Sequence, residues 1–368
     1  MRLIAVVFGT RPEIIKLAPV VRALDSSKNL KPFSISTGQH SSLKDIALKE
    51  EGLKVDVDLN LMSDAQSLTG FFARCLASLD EVLANEPIEG VVVQGDTSSA
   101  LAGALAAFYR GIPVFHVEAG LRTWNLGSPF PEEANRKLIA QIASLHFAPT
   151  VEARANLLNE AISGNKVKFV GNTIVDSLKA SLEKLAETPS SMQFDEAKGH
   201  GINLVWTFHR RENQDSVNDV VNTLESLARR HPNLGVWLPV HPNPAVAGPM
   251  LALRGKFTNL HILNPLNHGE FIRLLNVADL AVTDSGGVQE EALSLGKRVL
   301  VLRDTTERPE VVSSGLGTLY DPADGNILGA VESELSRINN FTVGQNPYGD
   351  GNSAQLIAKE ISEFYFRK

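Results

Sequence analysis

The chain has 368 residues, a formal net charge of −7, 43% hydrophobic residues and a single cysteine, Cys75. That is enough chain and core material for two domains. The acidic balance offers no field for nucleic acid, one cysteine excludes an intramolecular disulfide framework, and no apolar run is long enough to cross a bilayer.

Residues 1–7 lack a small-residue cleavage site and lead directly into Gly9-Thr10-Arg11-Pro12. They read as a first strand rather than a signal peptide, which makes the cytoplasm the expected compartment. Residues 3–8 are nearly all apolar, as in a strand covered on both faces. Gly9-Thr10-Arg11-Pro12-Glu13 then opens a helix, with Pro12 in its first turn and Ile14, Ile15, Leu17, Ala18 and Val21 at helical spacing. Arg11 and Lys16 thus stand at or within a helix start whose amides favour anions; a plain surface Arg and Lys is the alternative. A second strand at 32–37 exits through Thr37-Gly38-Gln39-His40, and helices are expected at 41–50 and 65–83. Cys75 sits in the second of these as a buried structural thiol.

The stretch 91–136 is the most informative. Val91-Val92-Val93 stops at Gln94-Gly95-Asp96-Thr97, a small-residue helix follows, and a strand at 112–117 ends in Glu118-Ala119-Gly120-Leu121-Arg122. An acid therefore stands at the carboxyl end of each strand. In an open parallel sheet those ends share one rim, where ligands bind, so Asp96 and Glu118 are expected to face one cleft. Further strands fall at 145–148 and 167–170, the latter ending in Gly171-Asn172-Thr173. Residues 183–201 break the rhythm and read as a surface connection, with a hinge near 171–176. The alternation then restarts with strands at 202–207, 235–239, 260–263, 280–283 and 299–302. These patterns predict an α/β protein of two Rossmann-like, doubly wound parallel-sheet domains, 1–172 and 173–353, with a closing helix at 354–366 packing back on the first.

Asp284-Ser285-Gly286-Gly287-Val288-Gln289-Glu290-Glu291 joins a strand to a helix. Its glycines let a phosphate approach the backbone, Ser285 can donate a hydroxyl, and the free amides hold negative charge; an ordinary glycine turn is the alternative. Glu291, one turn in, can accept from ribose hydroxyls. Neither a P-loop nor a Gly-x-Gly-x-x-Gly run is present, which favours a nucleotide on this turn over a Rossmann cofactor. His209-Arg210-Arg211-Glu212 places charge for a diphosphate beyond another strand, against the alternative of an exposed basic turn. Asp96, Glu118, Glu132 and Glu133 form an acidic set suited to general acid and base work, one of the last two serving only the helix start after Pro131. No His/Cys/Asp/Glu spacing fits a metal site, and no Gly-x-Ser-x-Gly elbow appears.

Taken in order, Gly9-Thr10-Arg11-Pro12-Glu13, Gln94-Gly95-Asp96-Thr97, His116-Val117-Glu118-Ala119-Gly120-Leu121-Arg122, Pro131-Glu132-Glu133-Ala134-Asn135-Arg136, His209-Arg210-Arg211-Glu212-Asn213, the Asp284–Glu291 run, Thr306-Glu307-Arg308-Pro309-Glu310 and Asn346-Pro347-Tyr348-Gly349-Asp350-Gly351 are distinctive. The chain resembles the non-hydrolysing UDP-N-acetylglucosamine 2-epimerases over nearly its whole length. The resemblance implies a GT-B-like fold with the active site in an interdomain cleft, and interconversion of UDP-N-acetylglucosamine and UDP-N-acetylmannosamine through elimination of UDP to 2-acetamidoglucal and its re-addition. It implies Asp96, Glu118, Glu132 and His209 as catalytic residues. Arg11, Lys16, Phe271 near the uracil, Ser285, Gly286, Gly287, Glu291 on the ribose and Arg308 would form the substrate shell. No metal or other cofactor is implied; a homodimer and a role in cell-surface polysaccharide precursor supply are.

Family members that bind a second substrate molecule as activator use a Gln-His pair followed by Arg-Gln, and an Arg before the long helix. Gln39 and His40 are kept, and with Arg210 and His241 they form the candidate activator site, but Ser41, Ser42 and Ala65 stand at the other matching positions. Phe208 and Phe115, in place of small residues, are expected near the cleft, where they would reshape the sugar pocket. The alternatives are the same mechanism on a modified UDP-sugar, a hydrolysing relative, a GT-B glycosyltransferase and a sugar-nucleotide binding protein.

Overall fold

The computed structural model describes residues 1–38, 41–63, 66–187, 196–208, 216–240, 244–338 and 344–366. The chain divides into two compact units, one of Met1–Ser177 with Tyr348–Lys368 and the other of Leu178–Pro347.

The first unit is built on strands β1 (Arg2–Phe8), β2 (Leu30–Ser36), β3 (Val57–Asp58), β4 (Gly90–Gln94), β5 (Val114–Val117), β6 (Leu145–Ala148) and β7 (Val167–Phe169). They form one sheet in the order β3-β2-β1-β4-β5-β6-β7, with every pairing parallel. Its helices are α1 (Arg11–Asp25), α2 (Ser41–Glu51), α3 (Leu68–Asn85), α4 (Ser98–Tyr109), α5 (Glu132–Ile142), α6 (Val151–Asn159) and α7 (Thr173–Glu187), the last of which continues into the second unit.

The second unit carries β8 (Ile202–Thr207), β9 (Leu234–Pro239), β10 (Leu260–Leu263), β11 (Leu280–Thr283), β12 (Arg298–Leu302) and β13 (Gly317–Tyr320), in the order β10-β9-β8-β11-β12-β13, again all parallel. Around them lie α8 (Val217–Arg230), α9 (Pro244–Leu251), α10 (His268–Val277), α11 (Gly286–Ser294), α12 (Glu310–Ser313) and α13 (Ile327–Arg337). The α/β fold class read from the alternation is the one observed. In both sheets the strand order reverses beside the first strand, between β1 and β4 and between β8 and β11. That is the switch point at which doubly wound sheets bind ligands.

Two strands were not legible. β3 is two residues long, and β13 is a four-residue edge strand beginning at a glycine, so neither offers a periodic run. The irregular connection expected at 183–201 is also corrected: residues 183–187 complete α7, residues 196–199 form a short 3-10 helix, and residues 188–195 lie outside the described residues.

The closing helix α14 (Ser353–Phe366) belongs to the first unit. Ala354, Ile357, Ala358 and Ile361 enter the core that includes Ile14 and Leu17 of α1 and Phe115 of β5. Asp176 accepts from the Ala354 amide at 2.9 Å and the Ser353 amide at 3.3 Å, satisfying donors that a helix start leaves open. Phe115 stacks edge-on against Phe364, at 5.3 Å, and against Tyr365, and it is fully buried. The expectation that Phe115 lines the sugar pocket is therefore overturned, because its ring fills core beside the start of β4, next to Gly90. Phe208 is likewise a core residue of the second unit. Cys75 is buried, and burial together with the nearby Glu13 pushes its thiol up to about 12, so it is inert at neutral pH.

Neighbouring β5 and β6 bury His116 and His146. Burial lowers His116 to about 3 and His146 to about 4, so both are neutral at pH 7. On unfolding they return to about 6.5, and below that pH the unfolded chain binds protons the folded chain refuses. Their contribution is complete above the unfolded value and is lost as pH falls toward the folded one. Neither ring nitrogen of His146 has a hydrogen-bond partner among the described residues. His146→Leu is therefore expected to flatten the loss of stability between roughly pH 6.5 and 4.5, by up to about 1.4 kcal/mol per pH unit. Urea midpoints across that range check this, and equal slopes for both proteins would refute it.

Candidate active site

The first-unit switch point is lined by the exits of β1 and β4. Thr10 and Glu13 close a capping box on α1, and the Glu13 carboxylate is 1% exposed. One of its oxygens accepts from the Gly9 amide at 2.9 Å, the Thr10 amide at 2.7 Å and the Thr10 hydroxyl at 2.8 Å. The other accepts from the Thr97 hydroxyl at 2.7 Å. Glu13 thus ties the turn that carries Arg11 to the turn that carries Asp96. Burial raises its pKa from the ordinary carboxylate value, against the pull of those four hydrogen bonds. Arg11 itself, the first residue of α1, makes no side-chain ion pair or hydrogen bond among the described residues.

Glu118 follows β5 with φ +61°, a left-handed conformation that a residue with a Cβ adopts at a cost. Its carboxylate is held by the Lys16 ammonium at 2.6 Å and by the Gln94 side-chain amide, all three groups buried. Two residues that sequence reasoning assigned to different roles, Lys16 and Glu118, are therefore in direct contact. Gly120, at φ +96°, has no room for a Cβ, which would lie 2.1 Å from the Ala153 carbonyl oxygen on α6. The Glu118 turn is thereby packed directly onto a helix.

Asp96 faces the buried Arg136 guanidinium at 2.8 Å, and its backbone carbonyl accepts from the Asn135 side chain at 2.8 Å. Both partners come from α5. Glu132 and Glu133 open that helix and differ sharply. Glu133 is fully buried and accepts from the Thr123 and Trp124 amides, each at 3.1 Å, so it is structural. Glu132 is half-buried.

In the second unit Ser285 precedes α11, and Gly286 and Gly287 begin it. A Cβ on Gly286 would lie 2.6 Å from an Arg308 guanidinium nitrogen. The Arg308 guanidinium therefore lies directly against the start of α11, while a Cβ on Gly287 would meet nothing within 4 Å. Arg308 is pinned there by Glu290 at 2.6 Å and by Glu307, which also pairs with Arg303 at 2.9 Å, all of them buried. Glu291 bonds His268, and Phe271 packs half-buried against the core cluster that includes Trp237 and Leu274. Gln39, His40, His209, Arg210 and His241 lie outside the described residues. Among the described residues no group of three or more His, Cys, Asp or Glu is placed to hold a metal ion, and no helix is long and apolar enough to cross a membrane.

The family model for UDP-N-acetylglucosamine 2-epimerase matches residues 22–362. The chain belongs to the UDP-N-acetylglucosamine 2-epimerase family. It is 41% identical to a probable UDP-N-acetylglucosamine 2-epimerase of Ralstonia solanacearum, over 99% of this chain and 100% of that one. It superimposes with a TM-score of 0.91 and 39% identity on the crystal structure of the Neisseria meningitidis enzyme bound to UDP-GlcNAc, covering 99% and 100% of the two chains. For the S. aureus MnaA co-structure with UDP the TM-score is 0.92 at 36% identity, over 100% and 97%. With two parallel α/β units and these neighbours, the fold of this 2-epimerase family member is GT-B-like.

Four residues of this 2-epimerase chain carry contacts that no role read from the sequence assigns them: Glu13, Arg136, His268 and Glu290. Only Glu13 had a readable signal, the Thr-x-x-Glu spacing of a capping box. The others pair across long sequence separations and leave no local trace. Glu13→Ala strands the Gly9 and Thr10 amides without their acceptor, and each buried unsatisfied group costs about 1–3 kcal/mol. The expected loss is about 2–4 kcal/mol of unfolding free energy by urea titration; a loss below about 0.5 kcal/mol would show that the two turns hold without it.

Proposed function

We propose that this chain is a non-hydrolysing 2-epimerase interconverting UDP-N-acetylglucosamine and UDP-N-acetylmannosamine. The observation that carries it is the pair of rim carboxylates, Asp96 and Glu118, each set against a buried cation in a chain of this family. Relatives with UDP-GlcNAc or UDP bound support the substrate class.

The C2 hydrogen of the sugar is not next to a carbonyl, so its direct removal as a proton is unfavourable. Elimination avoids this: a carboxylate takes the C2 proton, the C1–O bond breaks with its electrons leaving on UDP, and 2-acetamidoglucal remains. Re-addition of the UDP oxygen to C1, with a proton delivered to the other face of C2, completes the inversion. Asp96, Glu118 and Glu132 serve as the acids and bases. Arg11, His209, Arg308 and the Ser285-Gly286-Gly287 turn stabilise the charge that grows on the leaving diphosphate, and Phe271 and Glu291 hold the nucleoside. Lys16 links the two tasks. A diphosphate that draws its ammonium away leaves Glu118 without its nearest counter-charge and therefore more basic.

Incubation with UDP-N-acetylglucosamine in D2O, followed by proton NMR, is expected to show exchange at C2 together with the manno epimer. Release of free N-acetylmannosamine would indicate hydrolysis instead, and complete inertness would remove this substrate from consideration. Asp96→Asn is expected to lower turnover by about 10²–10⁴-fold, with UDP affinity by calorimetry nearly unchanged. Normal turnover in that variant would contradict the acid–base assignment.

A further inference from the structure

Helix α10 begins at His268 and carries Phe271 three residues later, a spacing that puts both side chains on one helical face. An Asn267–Glu270 capping box fixes this first turn. His268 and Glu291 are both buried, and His268 Nε2 lies 2.8 Å from Glu291 Oε1. A carboxylate only accepts, so the imidazole N–H is the donor. Glu291 Oε2 accepts no hydrogen bond from the described residues. One carboxylate oxygen is therefore anchored by the neighbouring helix while the other keeps its acceptor capacity. Without the anchor, a glutamate side chain has three rotors to order before it can meet a ligand hydroxyl.

We propose that His268 is a positioning residue that sets the preference of this site for a ribonucleotide over a deoxyribonucleotide, acting through Glu291. It rests on the reading of Glu291 as the ribose contact. A fixed acceptor loses little entropy on meeting a hydroxyl, so the preorganised pair discriminates where a loose glutamate does so weakly. The ligand class is a uridine diphosphate with an intact ribose diol, and Phe271 on the same helical face is suited to the base. His268 itself touches no reacting atom.

Affinities of UDP, 2′-deoxy-UDP and 3′-deoxy-UDP for the full-length protein, His268→Ala and His268→Gln, measured by calorimetry, test this. The wild type is expected to prefer UDP over at least one deoxy analogue by about tenfold, the value of a hydrogen bond to a charged group. In His268→Ala that ratio is expected to fall below about threefold while the affinity for the weaker analogue stays within about twofold, because only the hydroxyl contact is lost. His268→Gln, which can still donate, is expected to keep most of the preference. Retention of the full ratio in His268→Ala, or an equal loss for all three ligands, overturns the positioning role alone. Absence of any preference in the wild type, or its persistence in Glu291→Ala, overturns the ribose contact and the inference with it.

Discussion

The buried carboxylate of Glu13 is the constraint on which the first unit's site depends. Four donors from two turns converge on it, at the position where the sheet changes winding direction. A carboxylate removed from water is expensive unless such donors surround it, and burial accordingly raises its pKa. The arrangement is all-or-none: if the turn after β1 shifts, the turn after β4 loses its anchor. Arg11 and Asp96 therefore inherit their placement from a residue that belongs to neither role.

The second unit solves the same problem with charge pairs. Arg308 lies against Gly286, bracketed by Glu290 and Glu307, and Glu307 is in turn held by Arg303. Breaking such a buried network strands a charge in a low-dielectric interior, which makes its geometry stiff. The start of α11 is thereby backed by a guanidinium, and a Cβ at Gly286 would collide with it. The electrostatics of this turn are local, in keeping with a chain whose overall charge is −7.

Most of the architecture was legible because both sheets are parallel and covered on both faces. Their strands are short apolar runs ending in Gly, Asp, Ser or Asn, and residues 145–148, 202–207, 260–263 and 280–283 coincide with the observed strands. β3 and β13 escaped because they are too short to show a period. The candidate site was legible as a roster of chemistries, not as a set of contacts. Lys16 reaching Glu118 spans α1 and the exit of β5, Arg136 reaching Asp96 spans α5 and the exit of β4, and His268 reaching Glu291 spans two helices. Partnerships of this kind are fixed by the sheet register and helix packing, which no local pattern encodes. Phe115 shows the converse: its position in a motif suggested a pocket, while its ring serves the core beneath the closing helix.

That closing helix has a consequence for how the protein is made. The first unit's core includes Ala354, Ile357, Ala358 and Ile361, so its apolar face beside α1 stays uncovered until those residues have been made. The second unit, contiguous in sequence, has no such wait. Vectorial synthesis therefore supplies every residue of the second unit before the last residues of the first unit's core.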